Sequence, residues 1–272
     1  MGIAVFYENI AEGVQYCQGD MAGTLKKLKT MGMDRIYLSD RSFYQDQDLL
    51  EPLLKELDLG VEGMFTFADF AHDPHSQDYK KFIDLAKSLG AGNVLIIPGV
   101  IPTEETGDSQ RLTQNMICGM GKAARYGKEQ GVKVSMEDFD GLAAPFCSIR
   151  GLKQFMDAIP ELFCSFDTGN FIMYHENELE ALELFKDRIC TVHMKDRSRT
   201  PVYPGDRPKI CGDGAKEYPC PVGYGTIAME EIIRRLKSWG YEGSYIVELM
   251  DCTPKYLPEA IEKSVRWLKA HI

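Results

Sequence analysis

Positive charge and histidine are scarce in this chain. Its 272 residues include 31 Lys and Arg against 41 Asp and Glu, which gives a formal net charge of −10, and only 5 residues are His. Because an acidic protein repels polyphosphates, nucleic acid is not expected as a partner. A small sugar or sugar phosphate is compatible with this charge, because a bound metal ion can invert the local field.

Long apolar runs and targeting segments are also missing from the sequence. No apolar run approaches the roughly 18 residues that a membrane-spanning helix requires, and residues 1–7 contain neither a basic segment nor a long apolar core. The 8 cysteines include no C-x-x-C pair. This pattern is more typical of buried free thiols in a reducing cytosol than of disulfides or a cysteine metal site. We therefore expect a cytoplasmic protein with no signal peptide and no membrane span.

The sequence does contain a regular alternation of strand-like and helix-like segments. Apolar residues recur at helical spacing between the strands, for example over residues 79–89 and 229–239. Glycines such as Gly131 and Gly240 follow helical patterns and precede strands, as expected for residues that end helices. The apolar strand candidates are residues 2–7, 34–39, 61–66, 93–97, 132–137, 162–167, 189–194 and 245–250.

These strand–helix units predict a single α/β domain over residues 1–272, folded as a (β/α)8 TIM barrel. Crossover helices between successive strands produce a parallel sheet, and a barrel of this type commonly takes about 250 residues. A doubly wound open sheet is the competing architecture. It normally carries a glycine-rich phosphate turn after the first strand, and residues 7–13 do not have that pattern.

Residues 197–224 interrupt the alternation. This segment is rich in proline, glycine and charge and shows little periodicity. A loop of this length inside a compact domain is usually functional. We therefore predict a long loop at about 197–224 that lies over the active site as a lid.

Polar residues end four successive strand candidates. Glu137, Asp167, His193 and Glu248 follow the apolar residues of strands five to eight. A polar group at the end of a buried strand is costly unless it has a partner, and the carboxyl ends of barrel strands face one pocket. Three carboxylates and one imidazole suit a divalent ion such as Mn²⁺, Mg²⁺, Co²⁺ or Zn²⁺. The sequence thus predicts an enzyme with one divalent metal ion, with Mn²⁺ as the leading candidate.

Short motifs are concentrated in the second half of the chain. They are Glu137-Asp-Phe, Asp167-Thr-Gly-Asn170, His193-Met-Lys-Asp196, Val222-Gly-Tyr-Gly225 and Gly240-Tyr-Glu-Gly-Ser-Tyr-Ile-Val-Glu248. Together they resemble the xylose-isomerase-like TIM-barrel superfamily. Within it they are similar to the sugar (phosphate) isomerases and epimerases, a group that includes the ketose 3-epimerases. The resemblance is specific over residues 131–250, whereas the first half of the chain fits only in its strand–helix rhythm.

The resemblance implies that Glu137, Asp167, His193 and Glu248 are the metal ligands. It also implies that the two glutamates are catalytic. One removes a proton from the carbon next to the carbonyl group of a ketose, and the other returns a proton to the opposite face of the enediolate. The metal ion stabilises the charge that develops on the enediolate oxygens. The expected reaction is therefore the isomerisation or epimerisation of a sugar or sugar phosphate.

Three further residues are expected to bind the substrate. Asn170 stands where related epimerases often have His, and its amide can bind a hydroxyl group. Arg199 aligns with a substrate-binding arginine of the ketose epimerases, and Lys195 can bind substrate or orient a neighbour. The backbone amides of Gly223-Tyr-Gly225 could hold an anion, because this turn opens a helix.

Other functions use the same scaffold, because a fold does not determine a reaction. A lyase could remove the same proton and then expel a β-hydroxyl group from a keto-sugar or keto-inositol, as an inosose dehydratase does. A DNA endonuclease of the superfamily would need more histidines and a basic surface, and the chain has neither. A non-catalytic binding protein would have no need of two metal-bound glutamates.

Substrate specificity is expected to come from outside these motifs. The loops after strands one to four and the 197–224 segment should surround a small carbohydrate, with Tyr7, Glu8, Phe65 and Phe67 as candidate walls. Relatives are often dimers or tetramers, so a homodimer or homotetramer is a further expectation.

Overall fold

The apolar runs form the strands of a closed, parallel, eight-stranded barrel in the computed structural model, which describes residues 2–272. This confirms the predicted (β/α)8 fold. A separate three-stranded sheet consists of β8 (Asp196–Ser198), β9 (Lys209–Ile210) and β10 (Lys216–Cys220). The barrel strands are β1 (Ile3–Phe6), β2 (Arg35–Ser39), β3 (Gly60–Phe67), β4 (Asn93–Ile97), β5 (Lys133–Met136), β6 (Phe163–Asp167), β7 (Ile189–Met194) and β11 (Tyr245–Val247).

Helices connect the strands and cover the outside of the barrel. Several begin at side-chain caps, as where Ser39 accepts a hydrogen bond from Ser42 N before the third helix. The long fifth helix ends at Gly131, whose φ of 74° is easily adopted by glycine, as predicted. Among the helices of residues 2–272, none is long and apolar enough to cross a membrane. The helices are α1 (Tyr7–Tyr16), α2 (Met21–Met31), α3 (Asp40–Glu56), α4 (Asp78–Ser88), α5 (Ser109–Gln130), α6 (Ile149–Ala158), α7 (Glu178–Phe185), α8 (Met229–Ser238) and α9 (Leu257–His271).

The order of the strands brings the predicted ligands to one side of the barrel. Around the barrel the order is β1-β11-β7-β6-β5-β4-β3-β2, so β5, β6, β7 and β11 are neighbours. Asp167 of β6 lies opposite His193 of β7, and His193 lies opposite Ile246 of β11. Because the strands are parallel, their carboxyl ends meet at one rim.

Side chains fill the barrel and bind the helices to it. Near the middle of the barrel, Ser135 Oγ lies 2.7 Å from Ser165 Oγ, and Thr191 Oγ1 donates to Ser165 Oγ at 2.8 Å. Outside, the apolar stripe predicted over residues 229–239 is buried along α8 from Met229 to Leu236. Each large apolar side chain buried in this way contributes about 1.5–3 kcal/mol. Packing of the apolar faces therefore holds the helical layer on the barrel.

Residues 197–224 contain more regular structure than the sequence predicts. Both β8 and β9 pair antiparallel with β10, and the register places Arg197 opposite Pro219 and Lys209 opposite Glu217. β8 has 3 residues and β9 has 2, which is too short to produce a visible alternation of apolar and polar residues. The segment is therefore a small antiparallel sheet joined by turns, and it follows the strand that carries His193.

Candidate metal and catalytic site

The four predicted metal ligands lie together at the carboxyl rim of the barrel. Asp167 ends β6 and His193 is the penultimate residue of β7, whereas Glu137 and Glu248 directly follow β5 and β11. All four side chains are buried, and one ligand atom from each lies within 4.8 Å of the others. Three carboxylates and one imidazole at this spacing could hold a divalent cation.

The contacts inside this group fit a cation at its centre. His193 Nδ1 lies 3.0 Å from Glu137 Oε2 and 3.1 Å from Glu248 Oε2. None of these three atoms has a well-formed hydrogen bond within residues 2–272, and Asp167 Oδ2 has only an ion-pair contact with Lys195 Nζ. Buried polar atoms are seldom left without partners. A divalent ion would engage the lone pairs of all four side chains.

Two of the predicted substrate-binding residues lie beside the ligand group. Lys195 Nζ is 2.6 Å from Glu248 Oε1 and 2.9 Å from Asp167 Oδ2, and it donates to Asn170 Oδ1 at 3.0 Å. Asn170 Nδ2 in turn donates to the backbone oxygen of Asp138 at 2.7 Å. The ammonium group therefore offsets part of the buried negative charge, and Asn170 holds the ammonium group in place.

Burial and neighbouring charges separate the pKa values of the two glutamates. Burial raises the pKa of Glu137, and the nearby His193 offsets only part of this effect. Burial opposes ionisation of Glu248 as well, but Lys195 and His193 outweigh it and lower the pKa of Glu248 to about 2. Burial lowers the pKa of His193, but the two glutamates more than compensate and raise it to about 10. Burial raises the pKa of Asp167 to about 7.

Aromatic rings hold the imidazole of His193 in position. Phe6 of β1 and Tyr37 of β2 meet it edge to face, with ring centroids 5.1 Å and 5.0 Å away. Burial, together with the charge of Glu137, raises the pKa of Tyr37 well above its ordinary value. Tyr37 is therefore a neutral, rigid support behind the metal ligands. The sequence analysis did not identify it, because an aromatic residue inside a strand is typical of a core.

An open cavity of about 530 Å³ lies above the ligand group. Phe65, Phe67 and Phe139 line one side of it. Phe67 is 66% exposed, which is unusual for a phenylalanine, and it packs edge to face against Phe139. The cavity therefore combines a charged floor with an aromatic wall, as small-molecule sites often do.

The candidate walls named from the sequence divide into two groups. Glu8, Phe65 and Phe67 line the cavity. Tyr7 does not, because its hydroxyl group donates to Asp46 Oδ2 at 2.8 Å on the outer side of the barrel end. Residues that are adjacent in a helix point in different directions, so only one of the neighbours at positions 7 and 8 reaches the cavity.

Arg199 does not lie at the cavity in this structure. It follows β8, its side chain is 56% exposed, and it pairs with Glu217 of β10. Substrate binding by Arg199 therefore stays a prediction. Arg197, two residues earlier, is 1% exposed and contacts Asp140 and Asp251, which line the cavity.

Arg197 joins the two loops that carry the candidate catalytic glutamates. Its guanidinium group donates to Asp251 Oδ2 at 2.7 Å and to Asp140 Oδ2 at 3.3 Å. Lys209 of β9 lies 3.1 Å from Asp140 Oδ2 and 3.5 Å from Asp251 Oδ1. We call Asp140, Arg197, Lys209 and Asp251 the charge bridge. No motif in the sequence pointed to it, because its members come from three separate segments of the chain.

The predicted anion site at Gly223-Tyr-Gly225 is filled by a carboxylate of the chain itself. Asp196 Oδ2 accepts hydrogen bonds from Gly223 N and Gly225 N, each at 2.9 Å. A side chain at Gly225 would overlap the Asp196 carboxylate, so this approach requires a glycine. The motif therefore ties the start of the three-stranded sheet to the turn before α8.

Two relatives match most of the chain. The sequence is 24% identical over 222 residues to the inosose dehydratase of Clostridium perfringens, with 75% of this chain and 74% of that protein covered. It is 23% identical over 270 residues to the inosose isomerase of Halalkalibacterium halodurans, with 96% of this chain and 89% of that protein covered.

Solved structures share the fold at lower sequence identity. The IOLI protein with a bound zinc atom superposes with a TM-score of 0.75 at 16% identity, covering 100% of this chain and 99% of that one. The D-allulose 3-epimerase from Methylomonas sp. in complex with D-allulose gives a TM-score of 0.70 at 15% identity, covering 100% and 97%. At these identities the likeness shows the fold alone.

A family model settles the relationship that the motifs indicated. The model for the xylose isomerase-like TIM barrel matches residues 25–271, a range that includes all four candidate metal ligands. It also extends the resemblance into the first half of the chain, where only the rhythm of strands and helices had suggested it. The chain therefore belongs to the xylose isomerase-like TIM-barrel family.

Proposed function

We propose that this protein is a divalent-metal-dependent sugar isomerase or epimerase, which moves a proton on the carbon next to the carbonyl group of a ketose. The observation that carries the proposal is the buried group of Glu137, Asp167, His193 and Glu248 beneath an open cavity. Burying such charges costs several kcal/mol unless they are compensated. The inosose isomerase and the D-allulose 3-epimerase among the similar proteins support a carbohydrate ketone as the substrate.

The two glutamates are placed to transfer protons. The bound ion, held by the four side chains, would supply Lewis acidity at the oxygens of the substrate. Glu137 and Glu248 both line the cavity and approach the same nitrogen of His193 from separate loops. One carboxylate can then remove the proton, and the other can return one from another direction.

We assign Lys195 and Asn170 to substrate binding. Lys195 lines the cavity, so its ammonium group can donate to a carbonyl or hydroxyl oxygen of the substrate. Asn170 is fully buried and donates and accepts hydrogen bonds behind Lys195, so it acts by positioning that side chain. A contact by Arg199 would require the 197–224 segment to release it from Glu217.

We propose Mn²⁺ as the ion because it accepts both carboxylate and imidazole ligands; Zn²⁺, Mg²⁺ and Co²⁺ are its rivals. The zinc atom in the IOLI protein supports a divalent ion in this fold.

Lys209 lines the cavity from the 197–224 segment, which supports the role of that segment as a lid. A cytoplasmic location and a homodimer or homotetramer stay predictions.

The second candidate is a lyase that acts on a keto-sugar or keto-inositol. The inosose dehydratase that matches 75% of the chain supports it. The same carboxylate would remove the proton next to the carbonyl group, and the β-hydroxyl group would then accept a proton from an acidic group of the site and leave as water. The two reactions therefore differ in whether the carbon is reprotonated or the substrate is dehydrated.

Hydrogen exchange in D₂O tests the proposal. The Mn²⁺-loaded protein is incubated with ketopentoses, ketohexoses and a keto-inositol, each free and as a phosphate monoester, and NMR detects deuterium next to the carbonyl group. Deuterium incorporation with retention of every hydroxyl group would support an isomerase or epimerase. A dehydrated product would support the lyase. No change in any ketone, with metal bound, would reject the proposal.

Variants of the two glutamates test the assigned roles. Glu137→Gln and Glu248→Gln should each slow exchange by about 100-fold to 10,000-fold, the usual contribution of a general acid or base. Glu183→Gln, which alters an exposed carboxylate on α7, is the matched control and should exchange normally. The metal content of each variant is measured separately, so that loss of the ion is distinguished from loss of the base. Normal exchange in a metal-loaded glutamine variant would reject that residue's role.

A further inference from the structure

The cavity above the metal ligands carries an excess of negative charge. Its basic lining residues are Arg41, Lys195 and Lys209. Its acidic lining residues are Glu8, Asp40, Glu137, Asp140, Glu248 and Asp251. A divalent ion at the ligand group does not remove this excess, so the lining as a whole repels an anionic substrate.

Three basic side chains near the site, those of Lys195, Arg197 and Lys209, are already paired with carboxylates. Lys209 and Arg197 both contact Asp140 and Asp251 in the charge bridge. Lys195 is paired with two of the metal ligands, as described above. A phosphate group is normally held by cations that are free to form charge-assisted hydrogen bonds with it. Here Lys195, Arg197 and Lys209 would each first have to give up a buried or half-buried carboxylate.

Backbone amides at the start of α3 are also occupied by side chains of the protein. Arg41, which is exposed there, is the basic lining residue outside these ion pairs, and it adjoins Asp40 in the cavity lining. A helix N-terminus binds anions through free N–H groups. In this turn Ser39 N donates to Glu8 Oε1, Arg41 N donates to Asp40 Oδ1 and Ser42 N donates to Ser39 Oγ, at 2.8, 2.8 and 3.0 Å. Acidic and hydroxyl side chains of the protein thus occupy the donors that an anion would use.

Another part of the cavity lining offers aromatic surface instead of positive charge. Phe65, Phe67 and Phe139 face the cavity, and Phe67 stands at its open edge. Aromatic rings pack against the C–H groups of a sugar ring or a cyclitol, whereas they give no hydrogen bonds to a phosphate group. Both parts of the lining therefore favour the same kind of ligand.

We propose that the cavity takes an uncharged polyhydroxy ketone and discriminates against its phosphate esters, and that Asp140 and Asp251 set this specificity by pairing with Arg197 and Lys209. The inference rests on the proposed function, because it concerns the substrate of the same site. If it holds, removal of one of these carboxylates frees a cation at the rim and makes the cavity more tolerant of phosphate.

The test measures binding separately from catalysis. The metal-loaded protein is titrated calorimetrically with ketopentoses, ketohexoses and a keto-inositol, and with a phosphate monoester of each, at constant ionic strength. Inorganic phosphate is titrated in parallel to measure its direct coordination to the ion. We expect at least one uncharged ketone to bind at least about tenfold more tightly than its ester, because like charges oppose binding of the ester. Failure of every uncharged ketone to bind, or a smaller or reversed preference, would overturn the proposal.

Asparagine variants test the two carboxylates. Asp140→Asn and Asp251→Asn should each raise the affinity for the phosphate ester by about tenfold and change that for the uncharged ketone by less than about threefold. Asp157→Asn is the matched control, since it removes one exposed carboxylate paired with Lys153 on α6 and should leave both affinities unchanged. An unaltered preference in the folded variants would overturn the role of the two aspartates.

Lys209→Gln keeps the test decisive if the asparagine variants do not fold. Because Lys209 is already paired, its removal should lower the affinity for the ester by less than about threefold. A larger loss would show that Lys209 contacts phosphate and would overturn the proposal.

The exchange and binding assays can also fail separately. Loss of exchange with the binding preference intact rejects only the proposed function, whereas exchange that favours a phosphate ester rejects only the inference.

Discussion

The two halves of the barrel rim differ in chemistry. At the ends of β5, β6, β7 and β11, which are neighbours, stand three carboxylates and an imidazole; we call this the charged half. At the ends of β1 to β4, the apolar half, the cavity lining includes the apolar side chains of Phe6, Phe65 and Ile97 beside polar ones such as Ser39 and Asp40. We therefore expect proton transfer to depend on the charged half, and packing against the carbon atoms of the substrate to depend mainly on the apolar half. A metal site requires particular donor atoms, whereas an apolar wall requires only shape and surface.

The largest expected effect comes from breaking the charged half at His193. His193→Asn should weaken Mn²⁺ binding by more than about 100-fold, since changes to groups that only support metal ligands already cost about 10–100-fold. At an ion concentration about 100 times the dissociation constant, the ion should stabilise the wild-type protein by about 2.7 kcal/mol, and His193→Asn should lose this stabilisation. Calorimetric titration and thermal unfolding measure the two effects.

The control for His193 is the exposed His75. Its Nδ1 lies 2.7 Å from Lys122 Nζ, outside the ligand group, so His75→Asn should bind the ion normally. Equal losses in the two variants would contradict the assignment of the metal to the charged half.

A second large effect is expected at the charge bridge, which supports the charged half from above. Arg197→Met should lower the free energy of unfolding by about 3–5 kcal/mol, because it leaves Asp140 and Asp251 without their buried partner. Arg111→Met, which breaks an exposed pair with Asp108, should cost less than about 1 kcal/mol. Denaturant titrations of both variants provide the measurement. A similar small cost for both would show that Arg197 is not a structural link between the two loops.

A smaller effect is expected when the apolar half is altered. Phe67→Ala should raise KM about tenfold and change kcat by less than about twofold, because the aromatic wall binds substrate and transition state alike. Tyr44→Ala, which removes an exposed aromatic ring of α3 outside the cavity, should change neither value. Steady-state kinetics decide between the outcomes. A fall in kcat comparable to that of the glutamate variants would remove the distinction between the halves.

The smallest expected effect is the pH dependence of stability that arises from Asp140. Burial opposes ionisation of this carboxyl group, but Lys195, Lys209 and Arg197 outweigh burial and lower the pKa of Asp140 below its ordinary value of 3.8. The group therefore binds fewer protons in the folded chain than in the unfolded chain. Its stabilising contribution is fully present above the ordinary pKa and is lost as the pH falls through the lowered one.

Denaturant titrations at several pH values check this contribution. The difference in free energy of unfolding between the wild type and Asp140→Asn should be constant above about pH 5 and should shrink below about pH 4. Asp157→Asn, at an exposed position, should show no such dependence. A difference that grows at acid pH would contradict the lowered pKa of Asp140.

Much of the charged half could be predicted from the sequence. A short apolar run that ends in a polar residue indicates both a buried strand and the side of the barrel at which it ends, because parallel strands share one direction. Glu137, Asp167, His193 and Glu248 follow this pattern, and the structure brings them together. Lys195 and Asn170 were found through their motifs, and they lie beside the same group.

The apolar half and the charge bridge were less accessible to this reasoning. Phe67 and Phe65 were named only as candidate walls, because an aromatic residue at a strand end is as typical of a core as of a binding surface. Arg197 and Arg199 are two residues apart, and both are charged. Pairing of β8 with β10 turns Arg197 toward the barrel, whereas Arg199 follows the strand and meets Glu217.

The sequence by itself determined the alternation of strands and helices, the barrel and the four polar strand ends, because these depend on local periodicity and on the direction of the chain. Only the tertiary structure decided which basic side chains are paired with carboxylates. Asp140, Arg197, Lys209 and Asp251 come from three separate segments, and their charges compensate one another only because the barrel brings those segments to one rim. An ion pair depends on distance in space, which no spacing along the chain records.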